Sequence, residues 1–182
     1  MHPSNILVLP GWQNSGPDHW QSRWERNHGY TRVEQHDWQR PLRGDWIARL
    51  EDVLLGNSES PTEPVVLVAH SLGCMLVAAW AAHSQNTHLV KSALLVAPPD
   101  VERHDIRQML HSWAPVPLGK LPFKAEVFAS SDDPFCSSAR AQTFADSWGA
   151  QLHAVEAGGH LNTASGLGDW PVAHRVLVAL TE

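Results

Sequence analysis

Residues 65–80 read VVLVAHSLGCMLVAAW: five apolar residues, a histidine and a serine, then a stretch rich in Ala, Leu and Val. The unbroken run VVLVA fits a strand buried on both faces, and the stretch after it fits a helix with almost no polar side. Such a strand needs a helical layer above and below, so this segment confines the chain to folds with an internal parallel sheet. The rest of the chain agrees. Ile6–Leu9 (ILVL) and 93–97 (ALLVA) are further continuous runs bounded by turn formers, while 31–35, 126–129 (EVFA) and 152–155 read as weaker strands. Helices are expected at 18–27, 45–55, 72–84, 101–112, 137–148 and 171–180. Strict alternation means parallel βαβ units with right-handed crossovers. The expected fold is an α/β three-layer sandwich with a mostly or wholly parallel sheet of about six strands, in a single domain over 1–182. The polar segment 56–64 (GNSESPTEP) reads as a surface loop entering the central strand.

Composition narrows the function. The formal charge is −6 and there is no block of Lys or Arg, which argues against a nucleic-acid partner. The two cysteines, Cys74 and Cys136, lack the paired spacing of a zinc site and are too few for a secreted disulfide framework. The opening MHPSNILVLPGW holds too short an apolar run for a signal peptide or a membrane span. The expectation is a soluble cytoplasmic protein that does not bind membranes.

Ser71 falls between strand and helix, with Ala69 two residues before it and Gly73 two after. That is the arrangement of a nucleophile elbow, in which a serine sits on a strained strand-to-helix turn and the flanking positions must be small. Gly73 fits the G-x-S-x-G pattern and Ala69 departs from it by one methyl group. A serine at this place can also be a plain helix cap. His70 is an unsuitable partner for it, because adjacent side chains at a sharp turn point apart; packing support is the role expected of it.

An elbow serine needs a carboxylate and then a histidine further along the chain. SSDDPF follows the EVFA strand and offers Asp132 and Asp133 at a strand's carboxyl end. Pro134 biases Asp133 toward an extended backbone, which favours it over Asp132. His160 ends QLHAVEAGGH, where two glycines allow the close turn that returns an imidazole to the serine. His153, inside the strand, is the alternative base.

Together these residues carry a resemblance. LPGWQNSGPDHWQSRWE, QHDWQRPLRGDW, VAHSLGC, SSDDPF, WGAQL and GGHLNTASGLGDWP resemble motifs of the small lidless α/β-hydrolase (serine hydrolase) family that includes retinoblastoma-binding protein nine. The resemblance implies an α/β-hydrolase-like sandwich without a lid domain. It also implies a triad of Ser71, Asp133 and His160, and it makes Ala69 a normal elbow residue. The L-x-C-x-E motif associated with the retinoblastoma-binding member is not matched: Leu72-Gly73-Cys74 lacks the glutamate.

The implied activity is hydrolysis of small esters or amides through an acyl-enzyme, with no metal or cofactor; peptide cleavage, acyl transfer and a non-catalytic binding role use the same framework. The backbone N–H of Leu72 is expected to hold the oxyanion together with that of Trp12, Gln13 being the near alternative. Of the nine tryptophans, all except Trp12 are expected to fill core or interface. Cys74 reads as a buried small hydrophobe, whereas Cys136 is a candidate for oxidation. Only 98–123 separates ALLVA from the next strand, so a shallow pocket edged by Trp12 and the loop near Pro117 is expected, favouring short acyl groups.

Overall fold

The continuous apolar runs become the inner strands of one sheet. The computed structural model describes residues 1–56 and 64–182. In chain order it holds β1 (Ile6–Leu9), α1 (Trp20–His28), β2 (Thr31–Arg32), α2 (Arg43–Gly56), β3 (Val65–His70), α3 (Leu72–His83), β4 (Val90–Val96), α4 (His104–Met109), β5 (Lys124–Ser130), α5 (Ser138–Trp148), β6 (Gln151–Val155) and α6 (Pro171–Thr181). All six strands are parallel, in the order β2-β1-β3-β4-β5-β6. The loop expected over 56–64 lies largely outside the described residues.

Side chains alternate across the sheet and divide the core in two. Leu7, Leu67, Leu95 and Val127 face α2, α3 and α5. Ile6, Val66, Val68, Leu94 and Val96 face Trp20 and Trp24 of α1 and Ala173, Leu177 and Leu180 of α6. The three-layer expectation is therefore met, with the sheet wholly parallel. Among the described residues no helix is long and apolar enough to cross a membrane.

Two elements are shorter than the sequence pattern suggests. The stretch 101–112 is not one helix: α4 covers six residues, Leu110 leaves helical geometry at φ −118°, ψ 46°, and a 3-10 turn follows at His111–Trp113. Tertiary ties override propensity there, because Arg140 holds Asp100 and Glu102 in a turn before the helix and the Trp113 indole N–H donates to the Pro41 carbonyl after it. β2 ends at Arg32, although the Val33 N–H still reaches the Val8 carbonyl.

The strand order reverses between β1 and β3, and the carboxyl ends of those strands form the crevice where open α/β sheets bind ligands. α3 starts against that crevice. A Cβ on Gly73 would stand 2.3 Å from the Leu9 carbonyl oxygen, and one on Gly11 would stand 2.8 Å from Ser71 Cβ. No side chain fits at either place. Gly73→Ala is expected to cost about 1–3 kcal/mol in urea denaturation through overpacking; an unchanged midpoint would contradict the close approach.

Candidate active site

Ser71 is the turn between β3 and α3. Its backbone adopts φ 53°, ψ −121°, a left-handed region costing a non-glycine residue about 1–3 kcal/mol. The fold pins it there: the Ser71 N–H continues the sheet ladder to the Val96 carbonyl at 2.8 Å, and its own carbonyl accepts the Cys74 N–H at 2.8 Å. It makes no side-chain cap bond to α3, so the plain-cap alternative does not describe it.

The structure brings Ser71, His160 and Asp133 into one hydrogen-bonded series. His160 Nε2 lies 2.8 Å from Ser71 Oγ, and its Nδ1 lies 2.9 and 3.0 Å from the two Asp133 oxygens. The Asp133 side chain is 3% exposed and also accepts the Phe135 N–H at 2.9 Å. Asp132 is turned to a different task, accepting from Ser130 Oγ and from the Gly159 N–H, both at 2.7 Å. These two donors hold its carboxyl below the ordinary range. Gly158 N–H to Ser130 Oγ at 2.8 Å and Ala157 N–H to Ser131 Oγ at 2.9 Å complete the lacing between the acid loop and the histidine loop. His153 is placed elsewhere, 2.6 Å from Glu126 and stacked on Phe128.

The backbone N–H groups of the residues that line the space with Ser71 differ in their partners. Gln13 donates to the Trp38 carbonyl at 3.0 Å. The Trp12 N–H has no partner among the described residues, and that of Leu72, first in α3, has no acceptor within its helix. The Trp12 indole anchors this loop by donating to the Gln39 carbonyl at 2.9 Å. A deeper support went unseen in the sequence: Arg32 bonds Asn14 Oδ1, the Ser15 carbonyl and Ser22 Oγ, while the buried Gln21 amide bonds the carbonyls of Leu9 and Val68. No local motif marks Arg32 or Gln21, because their partners are brought together only by the sheet.

Comparison with known proteins identifies the family and the fold. The profile described as serine hydrolase matches residues 6–179, nearly the whole chain. The chain belongs to the serine hydrolase family. The structure of a YdeN-like hydrolase from Pectobacterium atrosepticum is similar at 28% identity and TM-score 0.81, covering 97% of this chain and 89% of that one. The ydeN gene product of Bacillus subtilis shares the fold at 22% identity and TM-score 0.74, over 96% and 97% of the two chains. Est1E from Butyrivibrio proteoclasticus, solved with ferulic acid bound, shares it at 11% identity and TM-score 0.72, over 97% and 89%. No curated protein sequence matches the chain.

In this serine hydrolase the space around Ser71 divides into two lobes. An apolar lobe of about 270 Å³ is walled by Pro99, Ile106, Met109, Leu110 and Phe135. α4 forms that wall, not the loop near Pro117, whose carbonyl instead accepts the Trp148 indole N–H. A polar lobe of about 390 Å³ is lined by Asn14, His19, His70, Asn162 and Thr163 among others. Phe135 packs edge-on against the His160 ring at 4.7 Å. Both thiols are buried: desolvation raises Cys74 strongly and pushes Cys136 up to about 12, with Asp133 and Asp100 adding to the latter. Cys136, a candidate for oxidation by position alone, is therefore buried and forms too little thiolate to react readily.

Behind the serine lies a cluster of neutral imidazoles. Burial, then the charges of Arg32 and His160, lowers His19 to about 4. Burial, then His19 and His160, puts His70 well below its ordinary value, and burial lowers His174 as well. A histidine with a depressed folded pKa takes its proton first in the unfolded state, so its contribution to stability is complete above about 6.5 and falls as pH drops toward the folded value. Urea midpoints are expected to fall between pH 7 and pH 4.5, His19 alone contributing on the order of 2 kcal/mol. A flat profile over that range would contradict neutral burial of these rings.

Proposed function

We propose that Ser71, His160 and Asp133 act as the catalytic triad of a carboxylester hydrolase for small acyl groups. The observation that carries this reading is the unbroken series from Ser71 Oγ through His160 to Asp133, at 2.8 and 2.9 Å. His160 takes the Ser71 proton as Oγ attacks the ester carbonyl, while Asp133 holds the proton on Nδ1 and stabilises the imidazolium. The carbonyl oxygen gains negative charge and is held by the N–H groups of Leu72 and Trp12. Collapse of that intermediate breaks the C–O bond. The leaving alkoxide receives the proton from His160, and water activated by the same imidazole then releases the acid from Ser71.

The apolar lobe suits the acyl group, and its volume lies just below the range for drug-sized ligands. Methylenes beyond it gain none of the ~0.8 kcal/mol that burying each would give. Amides enter the same mechanism with a poorer leaving group. Residence in the cytoplasm and operation as a single domain belong to this proposal, supported by a chain whose two thiols are free and whose match to the family is nearly full length.

The test is a kinetic panel on p-nitrophenyl esters. Ser71→Ala is expected to abolish turnover with the fold retained, Asp133→Asn to lower kcat roughly 10⁴-fold, and Asp132→Asn to do far less. Wild-type kcat/KM is expected to be higher for butyrate than for palmitate. Equal effects at the two aspartates, or preference for palmitate with detergent controlled, would contradict the assignment.

A further inference from the structure

The hydrogen-bonded series does not stop at Asp133. Besides its two contacts with His160 Nδ1, the buried carboxylate accepts the Phe135 N–H on Oδ1 at 2.9 Å. That N–H belongs to the peptide unit joining Pro134 to Phe135, and the carbonyl of the same unit accepts Arg103 Nη1 at 2.7 Å. A peptide unit is planar and stiff. Fixing its oxygen therefore fixes the direction of its N–H, the one backbone donor to the Asp133 side chain among the described residues.

Arg103, just before α4, is itself held. Its Nε and Nη2 donate to the two Asp105 oxygens at 2.8 and 2.6 Å, a two-point grip that leaves Nη1 for Pro134. The same contact lowers the Asp105 carboxyl to about 2, so the pair stays ionised at neutral pH. The next carbonyl is tied as well: that of Phe135 accepts the Asp100 N–H at 2.9 Å, and Arg140 holds Asp100. The Arg103 and Asp105 side chains are 42% and 60% exposed, so the ion pair adds little to stability. Its removal can thus separate positioning from folding.

We propose that Arg103 is a positioning residue for the triad, acting through the Pro134–Phe135 peptide to keep Asp133 aimed at His160. The series then runs from Arg103 through one amide to Asp133, His160 and Ser71. A cation donating to the carbonyl also polarises the amide, which strengthens the bond its N–H gives to the carboxylate. The inference rests on Asp133 as the triad acid. An acid left to rotate holds the imidazole in its attacking geometry for less of the time, so the loss falls on the chemical step and not on substrate binding.

The experiment is a double-mutant cycle on the full chain with p-nitrophenyl butyrate, crossing Arg103→Ala with Asp133→Ala. With Asp133 present, Arg103→Ala is expected to lower kcat about five- to tenfold, the scale of one hydrogen bond, and to move KM by less than about twofold. With Asp133 already removed, the same substitution is expected to change kcat by less than about twofold, because nothing is left to position. Asp105→Ala frees the guanidinium without deleting it and is expected to give a smaller loss, again only where Asp133 is present. A merely structural role would lower both backgrounds alike. An unchanged kcat, a rise in KM alone, or a loss of the same size without Asp133 overturns the inference while the hydrolase reading stands. If Asp133→Ala by itself leaves kcat near wild type, the triad reading falls and the inference with it.

Discussion

The contact that organises this molecule is the approach of the first turn of α3 to the end of β1. Gly73 lies so near the Leu9 carbonyl that a methyl group there would overlap it, and one on Gly11 would press against Ser71. Two consequences follow from the one constraint. Ser71 is held in a left-handed turn, and its hydroxyl meets His160 Nε2 at 2.8 Å. In the proposed mechanism this backbone geometry is what presents the Ser71 nucleophile, with the Leu72 and Trp12 N–H groups assigned to the developing negative charge.

The remaining site residues sit on loops, yet their positions are fixed by buried hydrogen bonds. Asp132 ties the acid loop to the histidine loop, leaving its neighbour Asp133 free to hold His160. Several indole N–H groups secure loop carbonyls in the same way: Trp20 holds Leu161 beside the histidine, Trp12 holds Gln39, and Trp113 holds Pro41. The many tryptophans therefore do more than fill volume, since each joins an apolar body to a directed donor. His70 adds the last tie by bonding the His160 carbonyl from behind. Such preorganisation lowers the reorganisation demanded when charge develops.

Much of this was legible in the sequence because it depends on local pattern. The runs ILVL, VVLVA and ALLVA announce buried strands, and a serine flanked by Ala69 and Gly73 between strand and helix announces the elbow. The choice of Asp133 over Asp132 rests on a proline restriction together with the family resemblance, while the physical difference between them is long-range, set by Gly159 and His160. The halves of the pocket were not legible at all. His19 reads as one more histidine before a helix, and its position beside His70 exists only after the sheet has placed α1 over the carboxyl end of β3. The same holds for α4, whose wall of Ile106, Met109 and Leu110 depends on a helix cut short by tertiary ties.

The account stands on Ser71 being the nucleophile, and covalent labelling tests that most directly. After treatment with a fluorophosphonate, digestion and mass spectrometry are expected to find one phosphonyl adduct per chain, on Ser71, and none on the Ser71→Ala protein. A folded wild-type protein that resists excess probe, or an adduct on any other residue, would contradict it.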